Sequence, residues 1–254
     1  MIMKRLVGVI TVRRGIAVQS FGYGRWLPLG CPAVLAANLD RWGADEILVQ
    51  VIDRGAQGPD LALIDRLSGA GLSTPLIYGG GIRCAAHAVA VVNRGADRVT
   101  VDQLLHDAPA EVAGIAAALG AQAVIAALPL AVLPAGLRWR EYRTGADKAL
   151  APAVLDLFAA GQVSEALLVD WRHEGAPGSF DEALVAGFPL ADVPLILFGG
   201  LGEPVQTARL YADPRVAAIA VGNLFAWREH AVQALKAALP GARLRPARFE
   251  GAAA

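Results

Sequence analysis

The sequence contains few of the residues from which metal centres and disulfide frameworks are built. Only two cysteines, Cys31 and Cys84, and four histidines occur among 254 residues, and neither type shows the spacing of metal ligands. We therefore expect no metal site and no disulfide bond. The two cysteines are interpreted as small, buried apolar residues.

The sequence also lacks a net charge and a long apolar run. Its 23 basic and 23 acidic residues cancel, and no basic cluster recurs on one face, which argues against a nucleic-acid partner. The longest apolar run, residues 123–137, is too short to span a bilayer and contains Pro129 and Pro134. Near the start, Arg13 and Arg14 arrive before the apolar core of a signal peptide can form. We expect a cytoplasmic protein with no membrane partner.

What the sequence does contain is an internal repeat. Residues 46–58 start with a carboxylate, continue through an apolar stretch and break at a glycine-containing loop, and residues 165–178 repeat this plan. After each loop an acidic residue, Asp60 or Asp181, opens a helical pattern. The repeat predicts two half-barrels, at about residues 1–120 and 121–245, followed by a short C-terminal tail.

Strand patterns and helical patterns alternate along the chain. The eight strand patterns lie at residues 5–12, 46–52, 75–78, 98–101, 123–128, 165–171, 193–198 and 217–221. The eight helical patterns lie at residues 32–42, 60–70, 84–94, 109–119, 151–160, 181–187, 204–211 and 224–238. Such alternation predicts a parallel sheet with right-handed crossovers. Because there are eight strands in two similar halves, we expect an α/β fold in which one domain, residues 1–254, forms a single (β/α)8 TIM barrel.

Two connections are longer than such a barrel requires. Residues 14–31 follow the first strand, and residues 129–150 follow the fifth strand and could form a hairpin. Both lie at the carboxyl ends of strands, where barrels of this kind carry their active sites. Long loops in a compact barrel are typically lids or binding loops.

Glycines recur where the predicted strands end. Backbone N–H groups approach a phosphate closely where no Cβ intervenes, and the N-terminus of a following helix adds positive partial charge. We interpret five residues as phosphate-binding: Gly81, Gly175, Gly200, Gly222 and Asn223. The alternative is that the glycines only form tight turns between strand and helix.

The end of the fourth strand differs from the other strand ends. It is followed by Asp102 and Gln103 and lies beside the glycines that end the third strand. A carboxylate repels a phosphate dianion, which leaves this end open to a different ligand.

Several segments together resemble one known family. They are Lys4-Arg5, Gly15, Ala44-Asp45-Glu46, Gly79-Gly80-Gly81-Ile82, Gly95-Ala96-Asp97-Arg98-Val99, Gly120-Ala121-Gln122-Ala123-Val124, Gly199-Gly200 and Phe225-Ala226-Trp227-Arg228-Glu229. In their order and spacing, from Lys4 to about Leu239, the chain resembles the cyclase subunit of imidazole glycerol phosphate synthase. The resemblance implies a barrel that receives ammonia through its axis from a separate class I glutaminase. It also implies a doubly phosphorylated substrate at the opposite face.

The chain departs from this family where the chemistry takes place. The family's two acid/base aspartates, at the ends of the first and fifth strands, fall on Thr11 and Pro129, and the lysine of the first loop falls on Gln19. Neither threonine nor proline titrates near neutral pH. The remaining catalytic candidates are Thr11, Asp53, Asp102, His173 and Glu174, with Gln50, Asp170 and Arg172 as further polar groups at the mouth.

In the loop after the sixth strand, His173 beside Glu174 is the only plausible acid/base pair. The alternatives are that His173 is a solvated loop residue and that Glu174 supports the loop structure.

The opposite end of the barrel matches the family. The four charged residues that gate the family's ammonia passage retain their signs and fall on Arg5, Glu46, Arg98 and Glu165. Alternating arginine and glutamate satisfies the requirement that buried charges be paired. The alternative is a salt-bridged plug that simply closes the barrel. The resemblance also places Asp97 and Gln122 at or near the face that meets the glutaminase.

Three functions are compatible with these observations. The first is an ammonia-receiving subunit of a glutamine-dependent synthase, paired with a class I glutaminase, which needs no further cofactor and acts on a phosphorylated or nucleotide-linked substrate. The second is a genuine cyclase of histidine biosynthesis with displaced acids such as Asp53 or Asp102. The third is a non-catalytic barrel that binds a phosphorylated metabolite or acts as a scaffold. The first function is favoured, because the four charged residues of the ammonia passage are retained while the two catalytic aspartates are replaced.

Overall fold

A computed structural model describes residues 4–239, and within them lie twelve strands. In chain order they are β1 (Arg5–Arg13), β2 (Ile16–Phe21), β3 (Arg25–Gly30), β4 (Glu46–Val51), β5 (Leu76–Gly79), β6 (Arg98–Val101), β7 (Val124–Leu133), β8 (Gly136–Glu141), β9 (Ala146–Lys148), β10 (Glu165–Asp170), β11 (Leu195–Phe198) and β12 (Val216–Val221).

Eight of these strands form a closed parallel ring, in the order β1, β4, β5, β6, β7, β10, β11 and β12. The ring is closed because β1 pairs with both β12 and β4, while β10 pairs with both β7 and β11. These eight are called the first to eighth barrel strands below. The predicted (β/α)8 barrel is confirmed.

Ten α-helices lie within the described residues and cover the ring. They are α1 (Pro32–Trp42), α2 (Leu61–Ser68), α3 (Ala85–Val92), α4 (Gln103–Asp107), α5 (Pro109–Leu119), α6 (Pro152–Ala159), α7 (Ala183–Gly187), α8 (Pro204–Ala212), α9 (Asn223–Trp227) and α10 (Ala231–Ala237). Proline opens α1, α5, α6 and α8, at a position where its missing N–H costs no intrahelical bond. None of the helices described in residues 4–239 has the length and apolar character needed to cross a membrane.

The strands separate two apolar cores, as the alternation of side chains along β1 shows. Leu6 and Ile10 belong to the core between the strands and the helices, whereas Val7 and Val9 belong to a core inside the ring. Both sides of the ring are therefore buried, which explains why the barrel strands are continuously apolar in sequence. Each buried aliphatic side chain contributes about 1.5–3 kcal/mol to stability.

The first and fifth barrel strands continue into antiparallel hairpins at the carboxyl end of the barrel, which we call the mouth. β1 pairs with β2 and β2 with β3, and β7 pairs with β8 and β8 with β9. We call β2–β3 the first hairpin and β8–β9 the second hairpin. The second corresponds to the hairpin predicted within residues 129–150, whereas the first was predicted only as a long loop.

Three predictions about local structure are wrong. The helix predicted at residues 224–238 is divided into α9 and α10, because His230 has a φ of 53°, which a right-handed helix cannot accommodate. The short helix α4 was not predicted; it buries Leu104 and Leu105. Cys31 is exposed and Cys84 is only partly buried, so neither is a core residue. The predicted C-terminal tail lies outside the described residues.

Candidate functional site

The four charged residues predicted to gate the barrel lie together at the amino end of the ring. Nη1 of Arg5 is 3.1 Å from Oε1 of Glu46, and Nη1 of Arg98 is 2.6 Å from Oε2 of Glu165. Arg5 also pairs with Glu165, and Nη1 of Arg98 lies 3.6 Å from Oε1 of Glu46. Each arginine therefore bridges both glutamates, and the four side chains form a closed ring of charge.

This charged ring is largely removed from solvent. The glutamate side chains are at most 10% exposed and the arginine side chains at most 20%. Burial raises the pKa of Glu46, although Arg5 and Arg98 oppose this rise. Burial would lower the pKa of Arg5, but the two glutamates outweigh it and raise that pKa. The ring closes the amino end of the barrel by mutual pairing, as buried charges require.

The two residues predicted to meet a partner lie beside this ring. Asp97 and Gln122 are exposed. Asp97 immediately precedes Arg98, and the Gln122 carbonyl accepts a hydrogen bond from Nε of Arg98 at 3.0 Å. One oxygen of Asp97 also accepts a bond from the Leu76 N–H at 2.7 Å. A protein bound over Asp97 and Gln122 would thus lie next to the charged ring.

At the mouth, a small cavity is bordered by all the residues predicted to bind phosphate in the second half of the chain. Its lining includes Gly175, Gly200, Gly222 and Asn223, and its volume is about 20 Å³, which is more than a single water molecule needs. Among the loop and turn hydrogen bonds of residues 4–239, none uses the N–H of Gly175, Gly200 or Asn223 as donor. We call this space the glycine cavity.

Two of these glycines also have a packing role. A Cβ on Gly175 would lie 2.4 Å from the Ser20 carbonyl oxygen, and a Cβ on Gly200 would lie 2.8 Å from the Phe180 nitrogen. A Cβ on Gly222 would meet nothing closer than 3.5 Å. The turn interpretation therefore accounts for the first two glycines, whereas a Cβ on Gly222 would make only ordinary van der Waals contacts.

Gly81, the phosphate-binding residue predicted in the first half, has a packing role. A Cβ on Gly81 would lie 2.3 Å from the Gly58 carbonyl oxygen, so this glycine is required for the packing of two loops. Its role in phosphate binding stays a prediction.

The amide of Asn223 is engaged by the chain itself. It accepts a hydrogen bond from the Ser20 N–H at 3.1 Å and donates one to the Ser20 carbonyl at 2.6 Å. These two bonds hold the first hairpin against the start of α9. The backbone N–H of Asn223 is not a donor in the loop hydrogen bonds of the described residues and is available to a ligand in the glycine cavity.

Glu174 also fastens the first hairpin and does not pair with His173. Its Oε2 accepts bonds from the Ser20 hydroxyl at 3.0 Å and from the Tyr23 N–H at 3.3 Å, and its carbonyl accepts one from Gly22 at 2.9 Å. Burial raises the pKa of Glu174 against these hydrogen bonds. The pairing of His173 with Glu174 predicted from the sequence is therefore wrong.

His173 pairs with Asp170, which is 1% exposed at the end of the sixth barrel strand. The Nδ1 of His173 lies 2.7 Å from Oδ2 of Asp170, and that oxygen also accepts a bond from the Asp181 N–H at 2.8 Å. A carboxylate on Nδ1 orients the imidazole and leaves Nε2 for a ligand. The histidine packs beside Gly200, because a Cβ on that glycine would be 3.1 Å from His173 Cβ.

The tips of the two hairpins meet over the inner core. Tyr23 packs against that core, and its hydroxyl donates to Oε1 of Gln50 at 3.0 Å. The ring of Tyr142 meets the Tyr23 ring edge to face at 5.5 Å. Burial raises the pKa of Tyr23 well above its usual value, and the charges of Glu174 and Asp102 add to this. The tyrosines thus cover the mouth above the barrel axis.

Asp102 is the catalytic candidate whose ionisation is most altered. Its Oδ1 is buried without a hydrogen-bond partner. Burial raises the pKa of Asp102 to about 7, although the Trp139 indole and the charge of Arg143 act against the rise. A carboxyl group that titrates near neutral pH is suited to exchange protons with a substrate.

The other predicted mouth residues lie in different settings. Thr11 is buried and borders a largely apolar cavity of about 130 Å³ between β1, α1 and α9. Pro129 is buried within β7, where it pairs with Val169. Asp53 is exposed and accepts a bond from the Arg14 N–H at 2.6 Å, and Arg172 is exposed. The exposed Asp53 therefore differs in its surroundings from Asp102 and Glu174, whose charges both act on Tyr23.

Four residues at the mouth were not predicted as site residues: Ser20, Tyr23, Trp139 and Tyr142. Trp139 stacks on His106 with ring centres 3.6 Å apart, and burial lowers the pKa of that histidine to about 4. A pattern of strand residues ending in an aromatic turn, repeated after the first and fifth strands, is the only signal in the sequence that could have identified the two tyrosines.

Comparisons with known proteins agree with this geometry. A family model described as "Histidine biosynthesis protein" matches residues 5–230. The HisF subunit of imidazole glycerol phosphate synthase from Myxococcus xanthus (strain DK1622) is 30% identical over 247 residues, which cover 94% of this chain and 96% of that protein. The HisF subunit from Symbiobacterium thermophilum (strain DSM 24528 / JCM 14929 / IAM 14863 / T) is 30% identical over 249 residues, covering 93% and 95%.

Proposed function

Because this chain belongs to the histidine biosynthesis protein family and is similar to HisF subunits over nearly its whole length, we propose that it is an ammonia-receiving synthase subunit. In this proposal a class I glutaminase docks at the amino end of the barrel. Ammonia passes the charged ring, crosses the inner core and reacts at the mouth with a phosphorylated or nucleotide-linked substrate.

The observation that carries this proposal is the complete charged ring. Within residues 4–239, Arg5, Glu46, Arg98 and Glu165 pair with one another and with polar groups at the same end of the barrel. Replacing a buried ion cluster with apolar residues of similar volume is often neutral or stabilising, so stability alone gives little reason to have four charges here. The four charges are explained if they gate a passage that opens when one ion pair separates.

The layer above the ring suits a small neutral molecule. It is built from Val7, Leu48, Ile77, Ile125 and Leu167. Ammonia can cross such a layer at low cost, whereas an ammonium ion would have to give up its hydration. The arrangement supports transfer of uncharged ammonia with little loss to solvent.

The glycine cavity supports a phosphorylated substrate. It is bordered by Gly175, Gly200 and Asn223, whose backbone N–H groups are not donors in the loop hydrogen bonds of the described residues. We assign the phosphate of the substrate to this cavity.

The mouth differs from a HisF cyclase at its acid/base positions. We propose that Thr11 and Pro129 stand where the family has its two aspartates, and neither can transfer protons near neutral pH. Asp102 then becomes the proton-transfer group, because its carboxyl has a pKa of about 7. It would accept a proton from the attacking nitrogen and pass it to the group that ammonia displaces, so that the C–N bond forms as the bond to the leaving group breaks.

The test uses the complex of the full chain with a class I glutaminase. The complex is incubated with an extract of phosphorylated metabolites and amide-labelled glutamine, and the transfer of label is followed by mass spectrometry. We expect Arg5→Ala and Glu46→Ala each to reduce transfer from glutamine at least tenfold while transfer from labelled ammonium salts persists.

A matched control reverses all four charges together (Arg5→Glu, Glu46→Arg, Arg98→Glu and Glu165→Arg), which keeps every ion pair of the ring. Thermal unfolding checks that each variant is folded. Unchanged transfer from glutamine in both alanine variants would show that ammonia does not pass the ring. If the chain neither binds the glutaminase nor stimulates glutamine hydrolysis, a non-catalytic, metabolite-binding barrel becomes the better interpretation.

The raised pKa of Asp102 also favours a second candidate, a histidine-pathway cyclase with a displaced acid. Complementation of a bacterial strain that lacks its cyclase separates the two. We expect no growth without histidine. Growth that depends on Asp102 would replace the first proposal with the second.

A further inference from the structure

The fourth and eighth barrel strands end at opposite sides of the mouth, because four steps around the eight-stranded ring separate β6 from β12. They occupy equivalent places in the two halves of the chain. Gly222 and Asn223 follow the eighth strand, and Asp102 and Gln103 follow the fourth. A substrate that spans the mouth would place one end at each of these positions.

The eighth-strand end can accept an anion. The N–H groups of Gly175, Gly200 and Asn223, which border the glycine cavity, are not used as donors in the loop hydrogen bonds of the described chain. The one carboxylate bordering the glycine cavity belongs to Glu174, whose Oε2 is held by Ser20 and Tyr23.

The fourth-strand end has the opposite character. Asp102 replaces the glycine of the other half; its buried Oδ1 makes no hydrogen bond of good geometry, although the Trp139 indole lies near the carboxylate. Both polar atoms of the Gln103 amide are buried without a partner. Buried polar groups are normally hydrogen-bonded, so the Gln103 amide, beside the incompletely paired Asp102, indicates that a ligand completes these groups.

The nearest basic side chain does not turn this end into an anion site. Arg143 forms a bidentate ion pair with Asp107, at 2.7 and 2.9 Å, and a further ion pair with Glu141 at 2.9 Å. Burial lowers the pKa of His106 to about 4, so this residue is neutral at pH 7. A second phosphate would face the Asp102 carboxylate, and Arg143, the basic residue whose charge acts on Asp102, is already paired.

We propose that the substrate is asymmetric, with a phosphate at the glycine cavity and an amino or other hydrogen-donating group bound by Asp102 and Gln103. This inference rests on the phosphate assignment of the proposed function. It differs from the doubly phosphorylated substrate that the family resemblance implied. The carboxylate and the carboxamide oxygen accept from the amino group, and the carboxamide N–H₂ is left to donate to a neighbouring oxygen.

The test measures binding to the full chain by calorimetry at pH 8, where Asp102 is ionised. The probes are inorganic phosphate and three series of linear alkyl phosphates, of four to ten carbons, that carry an amino group, a hydroxyl group or a second phosphate at the far end. We expect one phosphate bound per chain. The best aminoalkyl phosphate should bind at least tenfold more tightly than the bisphosphate of equal length.

Asp102→Asn should remove this preference and leave the affinity for inorganic phosphate within twofold. The matched control is Glu111→Gln, which neutralises an exposed carboxylate on α5 and should change neither value. Equal or tighter binding of the bisphosphate to the unmodified chain would overturn the asymmetric substrate. Failure of inorganic phosphate to bind would overturn the phosphate assignment as well, and neither result depends on a glutaminase.

Discussion

Asp102 couples the proposed chemistry to stability. A carboxyl whose pKa is higher in the folded than in the unfolded chain stabilises the fold at low pH, and this contribution is lost as the pH rises through the folded pKa. For Asp102 the pKa rises from 3.8 to about 7, so the loss takes place between about pH 4 and pH 7. Substitution by asparagine removes a charge that the fold tolerates poorly.

We therefore expect Asp102→Asn to gain stability relative to the unmodified chain as the pH rises. Between pH 5 and pH 8 the difference in unfolding free energy should grow by about 2–3 kcal/mol, because one pKa unit corresponds to about 1.4 kcal/mol. Urea denaturation at several pH values measures it. A difference that stays constant with pH would mean that Asp102 titrates normally in the folded protein.

His173 and Asp170 should act as one unit if the histidine takes part in the reaction. We expect His173→Ala and Asp170→Asn each to lower the rate of label transfer at least tenfold, and the double variant to be little slower than either. Such non-additivity is typical of residues that act together. Arg172→Ala, which changes an exposed neighbour, is the control. Independent, multiplicative effects would show that Asp170 does not work through the histidine.

The first hairpin is held by a few specific contacts, and this makes its stability testable. Glu174→Ala would leave the buried Ser20 hydroxyl and the Tyr23 N–H without their acceptor, at a cost of about 1–3 kcal/mol. We expect faster amide hydrogen exchange in residues 16–30, with exchange in β4 and β10 unchanged. Glu203→Ala, which removes the cap of α8, controls for general destabilisation. Uniform acceleration in both variants would argue against a separately opening hairpin.

The barrel strands and the hairpins differ in how far the sequence predicts them. The strands from Glu46 and Glu165 were predicted because an apolar run ended by a glycine loop is a local pattern. The first hairpin depends on contacts that are distant along the chain, such as those of Glu174 with Ser20 and of Asn223 with Ser20. Sequence order gives no sign of such pairs, so residues 14–31 were predicted only as a loop.

The same distinction applies to the candidate site. The family resemblance located the charged ring, because each of its residues precedes or begins a barrel strand. It could not distinguish Asp102 from Asp53, because the two differ in burial, which a sequence match does not reveal. Oδ1 of Asp102 is buried, whereas Asp53 is exposed. Nor could it reveal that His173 pairs with Asp170, three residues away, and not with its neighbour Glu174. Side-chain direction in a loop decides that choice.

The two ends of the barrel have separate tasks in the proposed function, so variants at opposite ends should affect different measurements. Asp97 and Asp53 form a matched pair for this purpose. Both are exposed, and each accepts one backbone hydrogen bond, from Leu76 at 2.7 Å and from Arg14 at 2.6 Å respectively. Asp97 lies beside the charged ring, and Asp53 lies at the mouth.

We expect Asp97→Lys to weaken binding of the glutaminase at least tenfold, because a reversed charge at an interface costs several kcal/mol when it meets an unchanged partner. Asp53→Lys should leave that affinity within twofold. Calorimetric titration measures the affinities. The rate of glutamine hydrolysis at a saturating concentration of this chain shows whether the bound chain still stimulates the glutaminase. Equal weakening by the two variants, or weakening by Asp53→Lys alone, would place the glutaminase somewhere other than over the charged ring and would remove the basis for an ammonia path along the barrel axis.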